Sequence, residues 1–188
     1  MSPIERSGGG GGSSGGGLTL LFDQELSVAA ASIDTGVNGI AQTSKHLYFE
    51  FYGRCSTAAT SGISSVVQFN GDTGANYDDA FMRNSAGVVS AASDQAQTSA
   101  FFAQIPANNN TAGFFGSGHG NIMSYSKVTA GFKTGNTMTG FTRDTTGVQQ
   151  VTIQFSWRST AAINQMKVFM LDGSNLIAGS RLTIYGTP

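Results

Sequence analysis

The 188 residues are enough for one domain with a real core, and only 11 % of them are charged, well under the roughly 25 % of an average soluble domain. The hydrophobic fraction, 39 %, is also low, so Gly, Ser, Thr, Ala, Asn and Gln supply a neutral, hydrogen-bonding surface. With a net charge of −1 and its charges scattered singly, the chain offers no field for nucleic acid or for an anionic membrane, and partners of both kinds are set aside.

The chain opens on "MSPIER", and residues 7–17 are then eight glycines and three serines. That lead goes directly from charge to glycine without the apolar core of a secretory signal, so the protein is expected to be made in a cytoplasm. Residues 1–17 are read as a flexible glycine-rich N-terminal arm, and 18–188 as a single all-β domain. About ten flexible Gly/Ser residues span roughly 17–19 Å as a coil, enough to tether a tip segment to a domain. In that reading Ile4, Glu5 and Arg6 dock, while Gly8, Gly12 and Gly17 let the backbone pass a tight groove.

From residue 18 onward the hydrophobic period is 2, not 3.6. Residues 18–22 begin as a strand. In "HLYFEFYG", Leu47, Phe49 and Phe51 alternate with His46, Tyr48, Glu50 and Tyr52. Cys55, the single cysteine, excludes an intramolecular disulfide and is read as a small strand residue. A strand over 66–69 runs into Asn70-Gly71, a hairpin or tight-turn signal. "NSAG", "KTGN", "TTG" and "LDGSN" read as further turns. "SAASDQAQTSA" makes one helical turn at most, and residues 106–120 read as a long polar, glycine-rich loop around Phe114 and Phe115. In "VQQVTIQFSW", Val151, Ile153, Phe155 and Trp157 share a face; in "INQMKVFML", Met166, Val168 and Met170 do so, with Phe169 and Leu171 opposite. Leu182 and Ile184 alternate with Thr183 and Tyr185. About ten to twelve short strands of this kind favour a β-sandwich or jelly roll. No apolar run approaches the roughly 18 residues that span a bilayer.

Several motifs suggest chemistry and fall short of it. "NGDTGANYDD" gathers Asp72, Asn76, Asp78 and Asp79 in a loop suited to Ca²⁺, but lacks EF-hand spacing, and a structural hairpin with Asx turns is preferred. "GSGHG" carries Gly118 where a nucleophile elbow needs serine, and no following Gly-Lys-Ser/Thr makes it a phosphate cradle. Asn109-Asn110-Thr111 matches a glycosylation acceptor, which has meaning only in a glycosylating secretory pathway. His46 and His119 are the only histidines, and the carboxylates show no evident pairing for glycoside hydrolysis. No catalytic, cofactor or metal site is therefore expected, and the protein is read as a non-enzyme. Tyr48, Tyr52, Tyr77 and Tyr125 are expected on outward faces. With His46, Phe114 and Phe115 they form a subunit interface, where Tyr is enriched, or a glycan-binding face.

Four stretches carry a resemblance: "KHLYFEFYGRCSTAATSG" (45–62), "VQFNGDTGANYD" (67–78), "WRSTAAI" (157–163) and "AGSRLTIYG" (178–186). With the opening "LTLLFDQELSVAAASID" they resemble a group of small virion structural proteins of tailed bacteriophages over about residues 18–186. An aromatic tends to stand in that group where this chain has Leu182. The resemblance implies a β-sandwich or jelly roll that trimerises and attaches to a capsid or tail, hence a virion location and the major capsid protein or another virion protein as partner. Two roles follow as expectations. One is a capsid decoration, cement or head-fibre protein anchored by its arm. The other is a tail- or head-displayed module that recognises host-surface glycan through the outward tyrosines and the 106–120 segment.

Overall fold

In the computed structural model, residues 17–59, 62–128, 131–143 and 147–188 are described. They form twelve strands and no helix: β1 (Thr19–Glu25), β2 (Ser32–Asp34), β3 (His46–Gly53), β4 (Gly62–Phe69), β5 (Tyr77–Ser85), β6 (Val88–Gln97), β7 (Ala100–Pro106), β8 (Gly116–Met123), β9 (Lys133–Arg143), β10 (Gly147–Trp157), β11 (Met166–Met170) and β12 (Arg181–Thr187). One sheet of eight strands has the order β1-β12-β3-β8-β9-β10-β5-β6; a second, of four, has the order β2-β11-β4-β7. Every pairing is antiparallel. The two sheets pack as a β-sandwich around one core.

The alternation read in the sequence is the alternation of burial. Leu47, Phe49 and Phe51 of β3, Val151, Ile153, Phe155 and Trp157 of β10, Met166, Val168 and Met170 of β11, and Leu182 and Ile184 of β12 all point into the core. Each such side chain contributes about 1.5–3 kcal/mol by leaving water. Aromatic rings bridge the layer: Phe102 of β7 lies 4.9 Å from Phe49 and 5.6 Å from Phe51, centroid to centroid, and Trp157 lies 5.7 Å from Phe69. A polar pin sets the sheets' relative position. The backbone N–H of Gln104 donates to Thr139 Oγ1 (3.3 Å), and the side chain of Gln149 donates to that of Gln104.

Turn chemistry holds in part. Ala86 and Gly87 of "NSAG" both take positive φ (52° and 83°), the backbone of a two-residue type I′ hairpin, and join β5 to β6. Asn70-Gly71 is also a tight turn, with φ of 54° and 68°, but it leads from the small sheet to the large one and makes no hairpin. The Asn70 side chain accepts from the amides of Asn164 and Gln165 and donates to the Ala162 carbonyl (2.7 Å), strapping the segment before β11 to this turn.

Three expectations are corrected. "KTGN" lies inside β9, "SAASDQAQ" is part of β6 with no helical turn, and the latter part of the supposed 106–120 loop is β8, a central strand of the large sheet. The reason is one of close approach. A Cβ at Gly120 would lie 2.6 Å from the Phe49 ring and one at Gly135 would lie 2.4 Å from the Phe155 ring, so neighbouring aromatics occupy the core space these glycines leave. A strand of this kind has no hydrophobic signature of its own.

Candidate functional site: the outer face of the large sheet

The outward residues of the eight-stranded sheet fall into cross-strand rows fixed by register. One row runs Tyr185, Tyr48, Asn121, Asn136, Gln154. The next runs Thr183, Glu50, His119, Met138, Thr152, and a third runs Arg181, Tyr52, Ser117, Gly140, Gln150. In the third row the small residues Ser117 and Gly140 stand between Tyr52 and Gln150. The surface sinks there into a trough of about 720 Å³ that crosses β12, β3, β8, β9 and β10. A second hollow of about 320 Å³ shares Tyr48, His119 and Met138 with it, so the depression continues across the middle rows.

The trough is aromatic along one side. The Tyr48 ring lies 6.2 Å from Tyr185 and 6.3 Å from His119, tilted by 35° and 34°. At the end of the trough Tyr52 is stacked on Phe115 at 4.7 Å with an interplanar angle of 9°. Its charges are nearly cancelled. Arg181 makes a two-pronged contact with Asp23 of β1 (2.8 and 2.6 Å), and Thr183 donates to the same carboxylate (2.9 Å). The Arg181 hydrogen bond holds the Asp23 carboxyl below its usual range against a smaller opposing effect of burial. Glu50, exposed in the middle row, accepts a hydrogen bond of 3.3 Å from the Tyr48 hydroxyl. Burial first, and the Glu50 charge next, push the Tyr48 phenol up.

The site residues named from sequence divide accordingly. Tyr48 and Tyr52 line the trough, and Phe115, half-buried, supports Tyr52, with Phe114 beside it at 37 % exposure. His46 sits on the same face beyond the trough, where its Nδ1 accepts from the Ser124 amide (2.9 Å). Tyr77 and Tyr125 are corrected: both are fully buried. The Tyr77 hydroxyl accepts from the Phe69 amide (2.9 Å) and donates to the Asp72 carbonyl (3.1 Å), and the Tyr125 hydroxyl donates to the Ala41 carbonyl. A tyrosine serves a core when backbone partners meet its hydroxyl, and here those partners come from other elements: the end of β4 and the turn after it for Tyr77, and Ala41 for Tyr125. Gly17 is exposed; Ile4, Glu5, Arg6, Gly8 and Gly12 lie outside the described residues. Sequence reasoning missed His119, Gln150, Arg181 and Tyr185. Alternation places Tyr185 outward, but only the strand order brings it beside Tyr48.

The carboxylates of "NGDTGANYDD" each have structural partners. Asp72 accepts from Trp157 Nε1 (2.7 Å), the Gly74 amide (2.8 Å) and the Asn76 side chain (3.0 Å). Asp78 pairs with Arg158 (2.7 Å from Nε), and Asp79 accepts from the Phe101 amide (2.9 Å). Among the described residues no three His, Cys, Asp or Glu side chains are grouped to hold a metal ion. Compared with family models, curated proteins and solved structures, the chain matches none.

Asp79 gives a prediction. It is 8 % exposed, stands opposite Asp94 in the β5–β6 register, and lines a cleft of about 170 Å³ between the sheets. Burial raises its carboxyl above the usual range, and the Asp94 and Asp78 charges add to this against the Phe101 amide. A raised folded value means that the group favours folding most below the ordinary carboxylate range and loses that contribution as pH rises through the folded value. Asp79→Asn keeps an acceptor for the Phe101 amide and removes the buried charge. It is expected to melt above the wild type at about pH 7 and together with it near pH 3, below the ordinary carboxylate pKa. Melting curves at the two pH values check this.

Proposed function

We propose that this chain is a non-enzymatic virion protein of a tailed bacteriophage, a decoration, cement or head-fibre protein that works as a homotrimer. In this reading it is anchored to the major capsid protein or another virion protein through its glycine-rich arm, with Ile4, Glu5 and Arg6 as the docking tip. The resemblance of the four sequence stretches suggests the class. The strand order supports it: β1-β12-β3-β8 facing β2-β11-β4-β7 is the alternation of a jelly roll, and β9-β10-β5-β6 extend one sheet of that plan.

The observation that carries the reading is the flank of that extension, which no described element covers. β6 is an edge strand of ten residues, almost all exposed, with Asp94 as its one charge and neither Lys, Arg nor Pro. Soluble proteins blunt such an edge with charge, proline or a covering element, because an open ladder templates association. Val88 (68 % exposed), Val89 (63 %) and Met82 of β5 (61 %) make the same flank apolar. A second and third copy of the chain are the covering element in this proposal. Sedimentation of purified protein is expected to give a trimer, and Val89→Lys with Ala91→Lys a folded monomer. In purified particles, mass spectrometry against the major capsid protein is expected to find hundreds of copies. A wild-type monomer at micromolar concentration counts against the trimer, and a handful of copies per particle moves the protein from the capsid shell to a tail or vertex.

A further inference from the structure

We infer that the trough across β12, β3, β8, β9 and β10 is a binding site for an uncharged oligosaccharide. The inference uses residues apart from the β5–β6 flank and does not need the virion assignment to hold.

Shape comes first. The trough crosses five strands, and at a spacing of about 4.8 Å per strand its floor is roughly 19 Å long. That suits a chain of several sugar units lying across the strands. The floor is kept low by Ser117 and Gly140, where a larger outward side chain would fill it. On the outward side a Cβ at Gly140 would meet the Gln149 carbonyl oxygen at 3.0 Å and the Gln150 Cα at 3.9 Å.

Chemistry selects the ligand. A sugar ring presents an apolar C–H face and a rim of hydroxyls that donate and accept. Tyr48, Tyr185 and Tyr52 offer ring surface to the face. Glu50 is a strong acceptor, Gln150 can donate and accept, Thr183, whose proton goes to Asp23, can accept, and His119 adds a ring nitrogen. Tyr52 is held by Phe115 in a parallel stack, so this platform is fixed before any ligand arrives.

Charge sets the subclass. Among the described residues Arg181 is the one cation lining the trough, and Asp23 already pairs with its Nε–Nη2 edge. Glu50 therefore leaves the surface slightly negative, which repels uronic and sialic acids and favours neutral sugars. A protein occupant fits less well. The trough alternates amide, hydroxyl, ring and carboxylate, whereas the interior of a protein contact is apolar and poor in charge, as the β5–β6 flank is.

The test uses the full chain on an array of neutral and acidic bacterial polysaccharides, followed by calorimetry with the best neutral oligosaccharide. Neutral glycans are expected to bind. Tyr48→Ala is expected to weaken binding by about tenfold, as loss of one aromatic contact does. Ser117→Trp, which fills the trough from an exposed strand position, is expected to abolish it. Both variants are to keep the wild-type melting temperature and oligomeric state, and Val89→Lys with Ala91→Lys is to keep the intrinsic affinity of each site. Absence of binding to every neutral glycan overturns the inference, as does binding confined to acidic glycans or undiminished in a folded Ser117→Trp variant.

Discussion

Arg54→Ala is expected to lower the melting temperature by about 6–12 °C, the effect of roughly 3 kcal/mol in a domain of this size. Arg54 follows the last residue of β3 and is 3 % exposed. Its guanidinium donates to the carbonyls of Thr111 (2.8 Å), Asn108 (2.7 Å) and Asn110 (2.7 Å), and among the described residues no carboxylate is a hydrogen-bonded partner. A planar fork of donors suits three converging carbonyls in a way a lysine ammonium does not. The segment 107–111 belongs to no strand, so these carbonyls have no ladder to satisfy them. Hydrogen bonds from a charged donor are worth about 1.5–3 kcal/mol each, and water reaching a loosened segment returns part of the sum.

The loss should also be local before it is global. The same segment leads to Phe115, which holds Tyr52, so Arg54 positions one end of the trough from below. Cleavage by a protease within 107–115 is expected to precede unfolding in Arg54→Ala, with Arg54→Lys intermediate in both stability and cleavage. A melting temperature within a degree or two of the wild type would remove Arg54 from this role.

How far the sequence discloses this depends on where the information lies. β3, β10, β11 and β12 are readable because their own side chains alternate and the core lies on one side. β8 and the start of β9 are unreadable in the same terms, since Gly118, Gly120 and Gly135 contribute backbone alone and the core volume beside Gly120 and Gly135 comes from Phe49 and Phe155 on other strands. Tyr77 is misplaced by alternation because alternation says which residues share a face, not which face is the core, and this first residue of β5 has no strong apolar run to fix the phase; Tyr125 lies in the turn after β8, where no alternation applies. The trough is legible by half. Tyr48 and Tyr52 follow from β3, but His119, Gln150 and Tyr185 join them only through pairings of strands far apart in sequence. Arg54 carries no local sign of its role, because its three carbonyl partners lie 54–57 residues further along the chain.

Two alanine substitutions on β8 test whether this glycine strand is built as described, and their effects should differ in kind. At Gly120 a Cβ would sit 1.9 Å from the carbonyl oxygen of Asn136, which is backbone of the paired strand β9, and 2.6 Å from the Phe49 ring. The ladder between β8 and β9 has to open to admit it. Gly120→Ala is therefore expected to lose more than about 4 kcal/mol and to give little soluble protein, and Phe49→Leu should not restore it because the nearer clash is with backbone. At Gly118 the nearest atom is Thr139 Cγ2 at 2.5 Å, a side-chain methyl, with the Met138 carbonyl oxygen at an acceptable but tight 3.2 Å. Overpacking of this sort costs about 1–3 kcal/mol. Thr139→Ser removes the methyl and keeps the hydroxyl that accepts from the Gln104 amide, so Gly118→Ala with Thr139→Ser should recover most of that loss. Denaturant midpoints of the four variants and the wild type give the comparison. A soluble Gly120→Ala protein with the wild-type midpoint would mean that residues 116–120 are not paired between β3 and β9, and the trough floor built on them would go with that pairing.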